Sequence, residues 1–422
     1  MNPPALPRFA LLLSLFAGPL LAANLPKPDV DNGGLTLPPG FGAVVVADKL
    51  KPLRNLTVAP NGDLYAKTRQ AGIYALRDTD GDGRADQTEE FGSGGGTGIA
   101  LRGDWLYHST DDHVFRYKLT PGQLVPTGEP ERIVRDLPNR RQHSAKAFAF
   151  GADGQLYVEV GSPSNALGQP DRALGAVGQD PTEFLKTYGG FWRFDPDKRD
   201  QTQADAHHYS TGHRHSTTIA LNPVSKKLFV ALHGRDQLNT VAPQFFSAED
   251  NAENPAEVFH VLRDGADFGW PTTYYDPRAK QRKLNPEYGG DGKKLAEAGK
   301  FDEPLIAFPA HWSPMQLAFY TGDQFPAKYR HGAFLAFQGS WNRSPQPQKG
   351  YQVVFIPFDA KGMPTGEWET FADNFAGTKE IASPGDAKHR PNGVAVGPDG
   401  SLYVTDASAG RIWRIVYTGA AK

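Results

Sequence analysis

Two side chains of this 422-residue chain could together carry out a proton transfer. His143 lies in the segment Gln142-His143-Ser144, and Arg214 ends the segment Gly212-His213-Arg214. An imidazole can take the proton of a hydroxyl group, and a guanidinium can stabilise the oxyanion that this leaves. We therefore predict that His143 and Arg214 are catalytic. A lone loop histidine is more often a solvated or structural group, so the prediction depends on both residues reaching one opening.

A second motif could bind a metal ion. Its residues match positions 1, 3, 5, 6, 7, 9 and 12 of an EF-hand calcium loop, in the order Asp78, Asp80, Asp82, Gly83, Arg84, Asp86 and Glu89. The preceding segment is predicted to be a strand, so the motif is not an EF-hand. We predict a structural calcium ion here, and an Asx-rich turn without metal is the alternative.

The elements that must position these groups recur six times along the chain. Each copy has a short apolar strand, a tight turn, an apolar and aromatic strand, and a third strand, and the copies begin at Leu56, Gly98, Ala147, Thr218, Gln316 and Gly393. Three copies carry hairpin signals typical of type I′ turns with positive φ at both central residues, namely Asn61-Gly62, Asp153-Gly154 and Asp399-Gly400. The repeat predicts an all-β, six-bladed β-propeller that forms one domain over residues 24–422. We expect Phe41 to Val46 to add an outer strand to the last blade.

Strand order within a blade sorts the loops onto two faces. The first strand of a blade lines the channel, so loops between second and third strands share one face with the connections between blades. The long insertions fall in that class: Gly161 to Gly189, Gly234 to Ala256 and Gly339 to Gly350. By the same count, the residues at this channel mouth are His143, Arg214, His215, Gly234, Arg235, Trp341, Arg343, Arg390 and Asn392. The acidic loop follows a third strand and belongs to the opposite face.

The first 23 residues have the layout of a secretory signal peptide. Arg8 precedes the apolar stretch Phe9 to Leu21, and Ala22 and Ala23 offer a cleavage point. The stretch is too short to span a bilayer comfortably. We predict export to a periplasm or out of the cell, without a stable membrane anchor after cleavage, and an uncleaved anchor is the alternative.

Composition excludes several kinds of cofactor and partner. The chain has no cysteine, which excludes disulfides, thiolate metal ligands, iron–sulfur clusters and covalently attached c-type haem. The formal net charge is −2 and no basic stripe is present, so nucleic acid is not an expected partner. Any redox chemistry would need a non-covalent cofactor and a diffusing electron acceptor.

From about Pro38 to Tyr417 the chain resembles the soluble sugar dehydrogenases that use pyrroloquinoline quinone, and particularly their sorbosone dehydrogenase branch. The most specific matching segments are Gly212 to Arg214, Phe268 to Pro271, Leu317 to Pro326 and Gln338 to Arg343. The resemblance implies a six-bladed propeller with the quinone on the loop-rich face. It also implies a calcium ion that bridges the quinone and the protein.

The resemblance further implies the oxidation of a sugar, sugar alcohol or aldehyde. His143 matches the family's general base, which takes the hydroxyl proton while hydride passes to the quinone. Backbone carbonyl groups near Gly234 and Arg235 are the implied ligands of the quinone's calcium ion. The cofactor-binding residues that we expect are Arg214, His215, Trp341, Arg343, Arg390 and Asn392.

The chain departs from the glucose-oxidising members of that family at several positions. His215 stands where they have asparagine, and Ser162 stands where they have an aspartate. Arg343 is the candidate replacement for their quinone-contacting lysine, and Trp312 or Trp341 for their stacking tryptophan. Two other interpretations stay open: a carbohydrate- or protein-binding propeller with calcium but no quinone, and a calcium-dependent lactone hydrolase with channel-mouth carboxylates from several blades.

Overall fold

The structure is a computed structural model that describes residues 25–140 and 142–419. The predicted signal peptide lies outside the described residues. Six sheets of four or five strands form a ring around a channel, and this confirms the predicted all-β, six-bladed propeller. No helix of the described ranges is long and apolar enough to cross a membrane.

The first half of the ring follows a strand that belongs to the last blade, β1 (Phe41–Ala47). Blade one contains β2 (Leu53–Val58), β3 (Leu64–Thr68), β4 (Ile73–Arg77) and β5 (Gln87–Phe91). Blade two contains β6 (Ile99–Arg102), β7 (Trp105–Ser109), β8 (Val114–Lys118) and β9 (Glu131–Val134). Blade three contains β10 (Phe148–Phe150), β11 (Leu156–Val160), an inserted hairpin of β12 (Gly168–Gln169) and β13 (Val177–Gly178), then β14 (Gly190–Phe194) and β15 (His207–Thr211).

The second half carries the larger insertions. Blade four starts with β16 (Thr218–Leu221) and β17 (Leu228–Leu232), and two short helices follow, α1 (Leu238–Val241) and α2 (Ala248–Glu253). Its third strand is β18 (Glu257–Leu262) and its outer strand is β22 (Ile306–Phe308). The chain between them contains three further short strands, β19 (Ala266–Asp267), β20 (Thr273–Asp276) and β21 (Gln281–Leu284). Blade five contains β23 (Pro314–Phe319), β24 (Ala333–Gln338), β25 (Tyr351–Ile356) and β26 (Glu369–Ala372). Blade six contains β27 (Pro391–Val396), β28 (Leu402–Asp406) and β29 (Ile412–Tyr417).

The ring closes where the start of the chain meets its end. Strand β1 pairs antiparallel with β29, so that Phe41 lies opposite Tyr417, and the expected outer strand of the last blade is confirmed. The Phe41 ring packs edge-to-face on Phe325 at 4.8 Å and on Phe371 at 5.1 Å between centroids. Closure therefore rests on backbone pairing together with a buried aromatic cluster.

The hairpin turns differ from the predicted type. Only the glycines have positive φ, at 93° for Gly62, 75° for Gly154 and 83° for Gly400. Each glycine N–H donates to the carbonyl three residues before it, which is the pattern of a type I turn followed by a left-handed glycine. The preceding Asn or Asp accepts from the N–H two residues on, and this bond favours those side chains without a positive φ.

The side chain of Gln316 joins three of the innermost strands. Gln316 of β23 accepts from the N–H groups of Leu56 at 2.9 Å and Val394 at 3.1 Å, and it donates to the Leu56 carbonyl at 2.9 Å. Blades five, one and six are thereby joined across the channel. A cavity of about 400 Å³ lined by the six inner strands lies beside this bridge.

We predict that Phe41→Ala lowers the free energy of unfolding by about 3 to 5 kcal/mol, since it deletes a buried ring at the closing seam. Urea unfolding followed by tryptophan fluorescence measures the change. Leu174→Ala is the control, because Leu174 is 71% exposed. A loss below about 1 kcal/mol for Phe41→Ala would show that closure does not depend on this cluster.

Candidate active site at the channel mouth

Two adjoining cavities open on the loop-rich face, and His143 lines both of them. The first, which we call the arginine cavity, has a volume of about 370 Å³ and is lined by Arg54, Arg69, Gln70, Gly96, Thr97, Asp111, His143, Ser144, Ala145 and His215. The second, the carboxylate cavity, has a volume of about 210 Å³ and is lined by His143, Arg172, Arg214, His233, Gly234, Asp236, Glu257, His311, Ser313, Trp341 and Asn342. The structure thus brings together the predicted residues His143, Arg214, His215, Gly234 and Trp341.

His143 is held in the form that a general base needs. Its Nδ1 lies 2.5 Å from the carbonyl oxygen of Ser162. Because a carbonyl can only accept, Nδ1 carries the proton and Nε2 keeps a free lone pair. Burial, followed by the positive charges of Arg214 and His215, lowers the pKa of His143 well below its ordinary 6.5. The imidazole is therefore neutral at physiological pH.

The arginine cavity carries positive charge that the protein does not neutralise. Burial and the nearby charges of Arg69 and Arg390 lower the pKa of Arg54 to about 10. No carboxylate of the described residues lies within salt-bridge distance of Arg54, Arg69 or Arg390. Asp111 lies in the cavity lining and only partly offsets the charge of Arg54. Such a cluster favours an anionic ligand.

The carboxylate cavity holds two buried acids in different states. Asp236 accepts from Arg214, from Arg172 at 3.2 Å and from Asn342 at 2.7 Å. Burial, opposed by the N–H groups of Gly234 and Ser313, raises the pKa of Glu257 to about 8. The charge on Asp236 contributes to this rise, so Glu257 keeps a proton at neutral pH unless a cation comes to lie beside it.

Arg214 lies in the lining of this cavity but is already engaged. Its guanidinium forms an ion pair with Asp236 and donates to the Gly234 carbonyl at 2.8 Å. These two contacts hold the group in a fixed orientation close to His143. Positioning and charge stabilisation are the roles that this arrangement supports.

Three of the residues predicted to bind the cofactor or its metal ion, Arg343, Arg235 and Asn392, line neither cavity. Arg343 is buried away from both cavities, where it contacts the Ala252 carbonyl, the Pro347 carbonyl at 3.0 Å and Glu253 at 2.6 Å. The guanidinium of Arg235 is also buried, and it pairs with Glu287. Asn392 is buried in β27, and its amide has no partner among the described residues.

Arg390 and Trp341 lie at the rim. The guanidinium of Arg390 donates to the carbonyls of Gln338 at 3.1 Å and Gly339 at 2.9 Å. Trp341 is 53% exposed at the edge of the carboxylate cavity. Both therefore keep the positions that the loop count predicted.

Five charged residues that hold the site together have no role in the predictions from sequence: Arg54, Arg69, Glu159, Asp236 and Glu257. Glu159 can be recognised from the sequence as unusual, because a glutamate interrupts the apolar strand β11, which is buried along its whole length. Asp236 follows Gly234 and Arg235 in a loop already assigned to this face. Nothing in the local sequence distinguishes Arg54 and Arg69 from surface arginines.

The acidic loop lies on the opposite face, between β4 and β5. Carboxylate oxygens of Asp78, Asp80 and Asp86 lie within 4.8 Å of one another, and among the described residues this is the group of three that could hold an ion. Glu89 instead lies in β5 opposite Ala75. Asp82 accepts from the N–H of Arg84 at 2.8 Å, and the Arg84 side chain pairs with Asp29. The structural calcium ion stays a prediction, with a smaller ligand set.

Comparison with known proteins gives one family match over most of the chain. The profile of a family described as TrAA12-like matches residues 35–418. A curated relative from Borreliella burgdorferi, described as an uncharacterized protein, is 27% identical over 212 residues, which are 49% of this chain and 48% of the relative. The chain thus spans about half the length of that relative.

Solved structures share the propeller at low identity. The calcium structure of a Trichoderma reesei protein of Carbohydrate-Active Enzymes family AA12 has a TM-score of 0.73 at 17% identity, over 91% of this chain and 97% of that one. The holo form of the pyranose dehydrogenase PQQ domain from Coprinopsis cinerea has a TM-score of 0.72 at 19% identity, over 93% and 98%. The PQQ-bound aldose sugar dehydrogenase from Streptomyces coelicolor has a TM-score of 0.57 at 17% identity, over 90% and 99%. At these identities the likeness concerns the fold.

We predict that calcium raises the thermal unfolding midpoint by binding the acidic loop, since a ligand of the folded state stabilises it. Asp80→Ala should lose most of the shift, because Asp80 belongs to the group of three. Asp82→Ala is the matched control and should keep the shift. Differential scanning fluorimetry over a calcium titration makes the comparison. An equal shift in the wild type and Asp80→Ala would place the ion elsewhere.

Proposed function

The chain belongs to the TrAA12-like family, and we propose that it is an exported quinoprotein dehydrogenase that oxidises a sugar, sugar alcohol or aldehyde. Its cofactors would be non-covalent pyrroloquinoline quinone and calcium, and a diffusing acceptor would take the electrons. Similar propellers that bind this quinone, from Coprinopsis cinerea and Streptomyces coelicolor, support the proposal.

The observation that carries the proposal is a neutral base beside unpaired arginines. His143 has a free Nε2 because Nδ1 donates to Ser162, and the arginine cavity next to it has no carboxylate partner for its guanidinium groups. A proton acceptor thus lies in the lining of a cavity that favours an anion. A dehydrogenase with an anionic cofactor needs this combination.

The residues of the arginine cavity fit the quinone. Pyrroloquinoline quinone bears several carboxylates, and Arg54, Arg69 and Arg390 would hold them through charge-assisted hydrogen bonds. When bound, the quinone supplies a hydride acceptor. Arginines of blade one would then take the place of the quinone-contacting lysine that the family has. Arg343 would not, because its guanidinium pairs with Glu253.

The carboxylate cavity fits a divalent cation. Calcium takes oxygen ligands, and Gly234, Asp236 and Glu257 all line this cavity. A cation there would favour the ionised form of Glu257, which burial disfavours. The side chain of Arg235 faces away, so that residue could contribute only its backbone.

The chain's own groups then divide the remaining work. His143 Nε2 takes the hydroxyl proton of the substrate, and the Ser162 carbonyl stabilises the imidazolium that forms. Arg214, fixed by Asp236 and Gly234, stabilises negative charge on the substrate oxygen. Trp341 at the rim offers an apolar surface to the face of a sugar ring.

We predict that the purified protein binds pyrroloquinoline quinone in the presence of calcium and then reduces a dye with some members of a panel of sugars, polyols and aldehydes. Arg54→Ala and Arg69→Ala should each weaken quinone binding roughly 10-fold or more, because each removes a charge-assisted bond. Isothermal titration calorimetry measures the affinity. Arg193→Ala is the control, since Arg193 faces Asp153 on the opposite side of the ring. Absence of quinone binding by the wild type would refute the proposal.

We predict that His143→Asn lowers kcat by roughly 100-fold or more while quinone affinity changes little. The neutral form of His143 is the base, and a lowered pKa keeps it neutral in more acidic solution. The acid limb of the wild-type kcat/KM profile should therefore lie below pH 6.5. Steady-state kinetics from pH 4 to 9 test both statements. Full turnover in His143→Asn would assign the base to another residue.

A further inference from the structure

One short segment at the end of β11 contacts both stacked imidazoles of the site. The His143 and His215 rings lie 4.9 Å apart between centroids at an angle of 28°. The segment runs from Glu159 to Ser162, and its last carbonyl accepts from Nδ1 of His143. The N–H of Ser162 donates to the Arg214 carbonyl at 2.8 Å, which ties the segment to the loop that carries His215.

Glu159 fixes the second ring. Its side chain is fully buried, and Oε1 accepts from His215 Nδ1 at 3.1 Å, from His213 Nε2 at 3.3 Å and from the Ser216 N–H at 3.0 Å. Burial raises the pKa of Glu159, but the charge of His215 and the two imidazole bonds outweigh it and bring the pKa to about 2. An ionised carboxylate without solvent thus holds the face of His215 against His143.

Gly161 leaves the space in which the two rings meet. A Cβ at this position would lie 2.6 Å from the His143 carbonyl oxygen, 2.8 Å from His143 Cβ and 2.8 Å from His215 Nδ1. Such distances are shorter than van der Waals contact. The φ of Gly161 is not positive, so the missing side chain matters here for space and not for backbone conformation.

We propose that Glu159 and Gly161 are positioning residues for the base His143, and that Glu159 acts on it through the stacked ring of His215. The proposal rests on the proposed function only in taking His143 as the base. The Ser162 carbonyl orients His143 directly, and Glu159 fixes the His215 ring that stacks on His143. His215, where the glucose-oxidising relatives have asparagine, becomes the link between them.

Other charged and titratable groups face these rings. They come from the loop before β16, from the end of β17 and from the arginine cavity, and they are His213, Arg214, His233, Arg54, Arg69 and Asp111. His233 tilts against His215 at 5.2 Å between centroids, and its Nε2 donates to the Pro314 carbonyl, which fixes its proton on Nε2. Glu159 is the carboxylate that bonds directly to the stack.

The first test measures the stack in the protein without cofactor. Histidine-labelled protein should show a nuclear Overhauser effect between the ring protons of His143 and His215, assigned with His143→Asn and His215→Asn. Glu159→Leu removes the acceptor at similar volume and should abolish the effect, whereas Glu159→Gln keeps one acceptor oxygen and should retain it. Gly161→Ala should abolish it by steric separation, and it tests the same stack if Glu159→Leu does not fold.

The second test measures turnover of the quinone-loaded enzyme. Glu159→Leu and Gly161→Ala should lower kcat roughly 10-fold or more with little change in KM, and Glu159→Gln should keep kcat within about 3-fold of the wild type. The double variant Glu159→Leu/His215→Asn should be no slower than His215→Asn alone. Glu369→Leu, on the exposed outer strand of blade five, is the control and should change neither measurement.

Three results would overturn the proposal. An intact ring contact in Glu159→Leu or in Gly161→Ala would show that the segment does not position the stack. Additive losses of kcat in the double variant would show that Glu159 acts independently of His215. A lost ring contact with unchanged kcat would separate the stack from catalysis. Wild-type protein that shows the ring contact but no turnover would refute the proposed function and leave the positioning contacts standing.

Discussion

Closure of the ring by β1 and β29 is the constraint on which the rest of the structure depends. The residues of the candidate site come from blades one to five, with Arg390 of blade six at the rim, and they are far apart in the sequence. No local element could bring Arg54, His143 and Gly234 to one opening. They meet because each is carried at the channel end of a blade, and the angle between blades is fixed only when the last blade borrows its outer strand from the start of the chain. Site geometry is therefore a consequence of topology.

The closed ring also separates charge across the channel mouth. Guanidinium groups without carboxylate partners lie on one side of His143, and a crowded pair of acids lies on the other. The guanidinium groups repel one another, and ionisation of Glu257 is unfavourable because that carboxyl group is buried and lies near the charge of Asp236. An anionic ligand and a cation would relieve the two sides together. This mutual complementarity explains why one small opening carries the perturbed pKa values of Arg54, His143 and Glu257.

The sequence predicts those parts of the fold that have a local cause. Inner and middle strands such as β11 and β24 are apolar and end at turn residues, so their number and order could be found. The outer strand β5 is exposed along most of its length and lacks an apolar face, and it was not recognised as a strand. The turn at Asn61-Gly62 was placed correctly but given the wrong type, because an Asx bond and a left-handed glycine produce the same sequence signal as a type I′ turn.

The candidate site could be located on its face, but its charge pairing could not be predicted. Arg343 and Arg54 look alike in sequence, yet one contacts Glu253 and two carbonyls while the other faces a cavity without a counter-ion. That difference depends on which loops lie beside each guanidinium, and the conformation of the insertions after β17 and β24 decides it. Residue type indicates which groups can bind an anion. Tertiary packing decides which of them are left free to do so.

The placement of Glu159 shows why a carboxylate near the proposed base, His143, need not touch it. A carboxylate bonded directly to Nδ1 would favour the imidazolium strongly, and a histidine that is already protonated cannot act as a base. Ser162 offers a carbonyl dipole instead, which fixes the tautomer with a weaker preference for the charged form. Glu159 places its charge behind His215, so the ring in between separates His143 from the carboxylate. Orientation and basicity are thereby set by different groups, and the base stays neutral within a strongly charged opening.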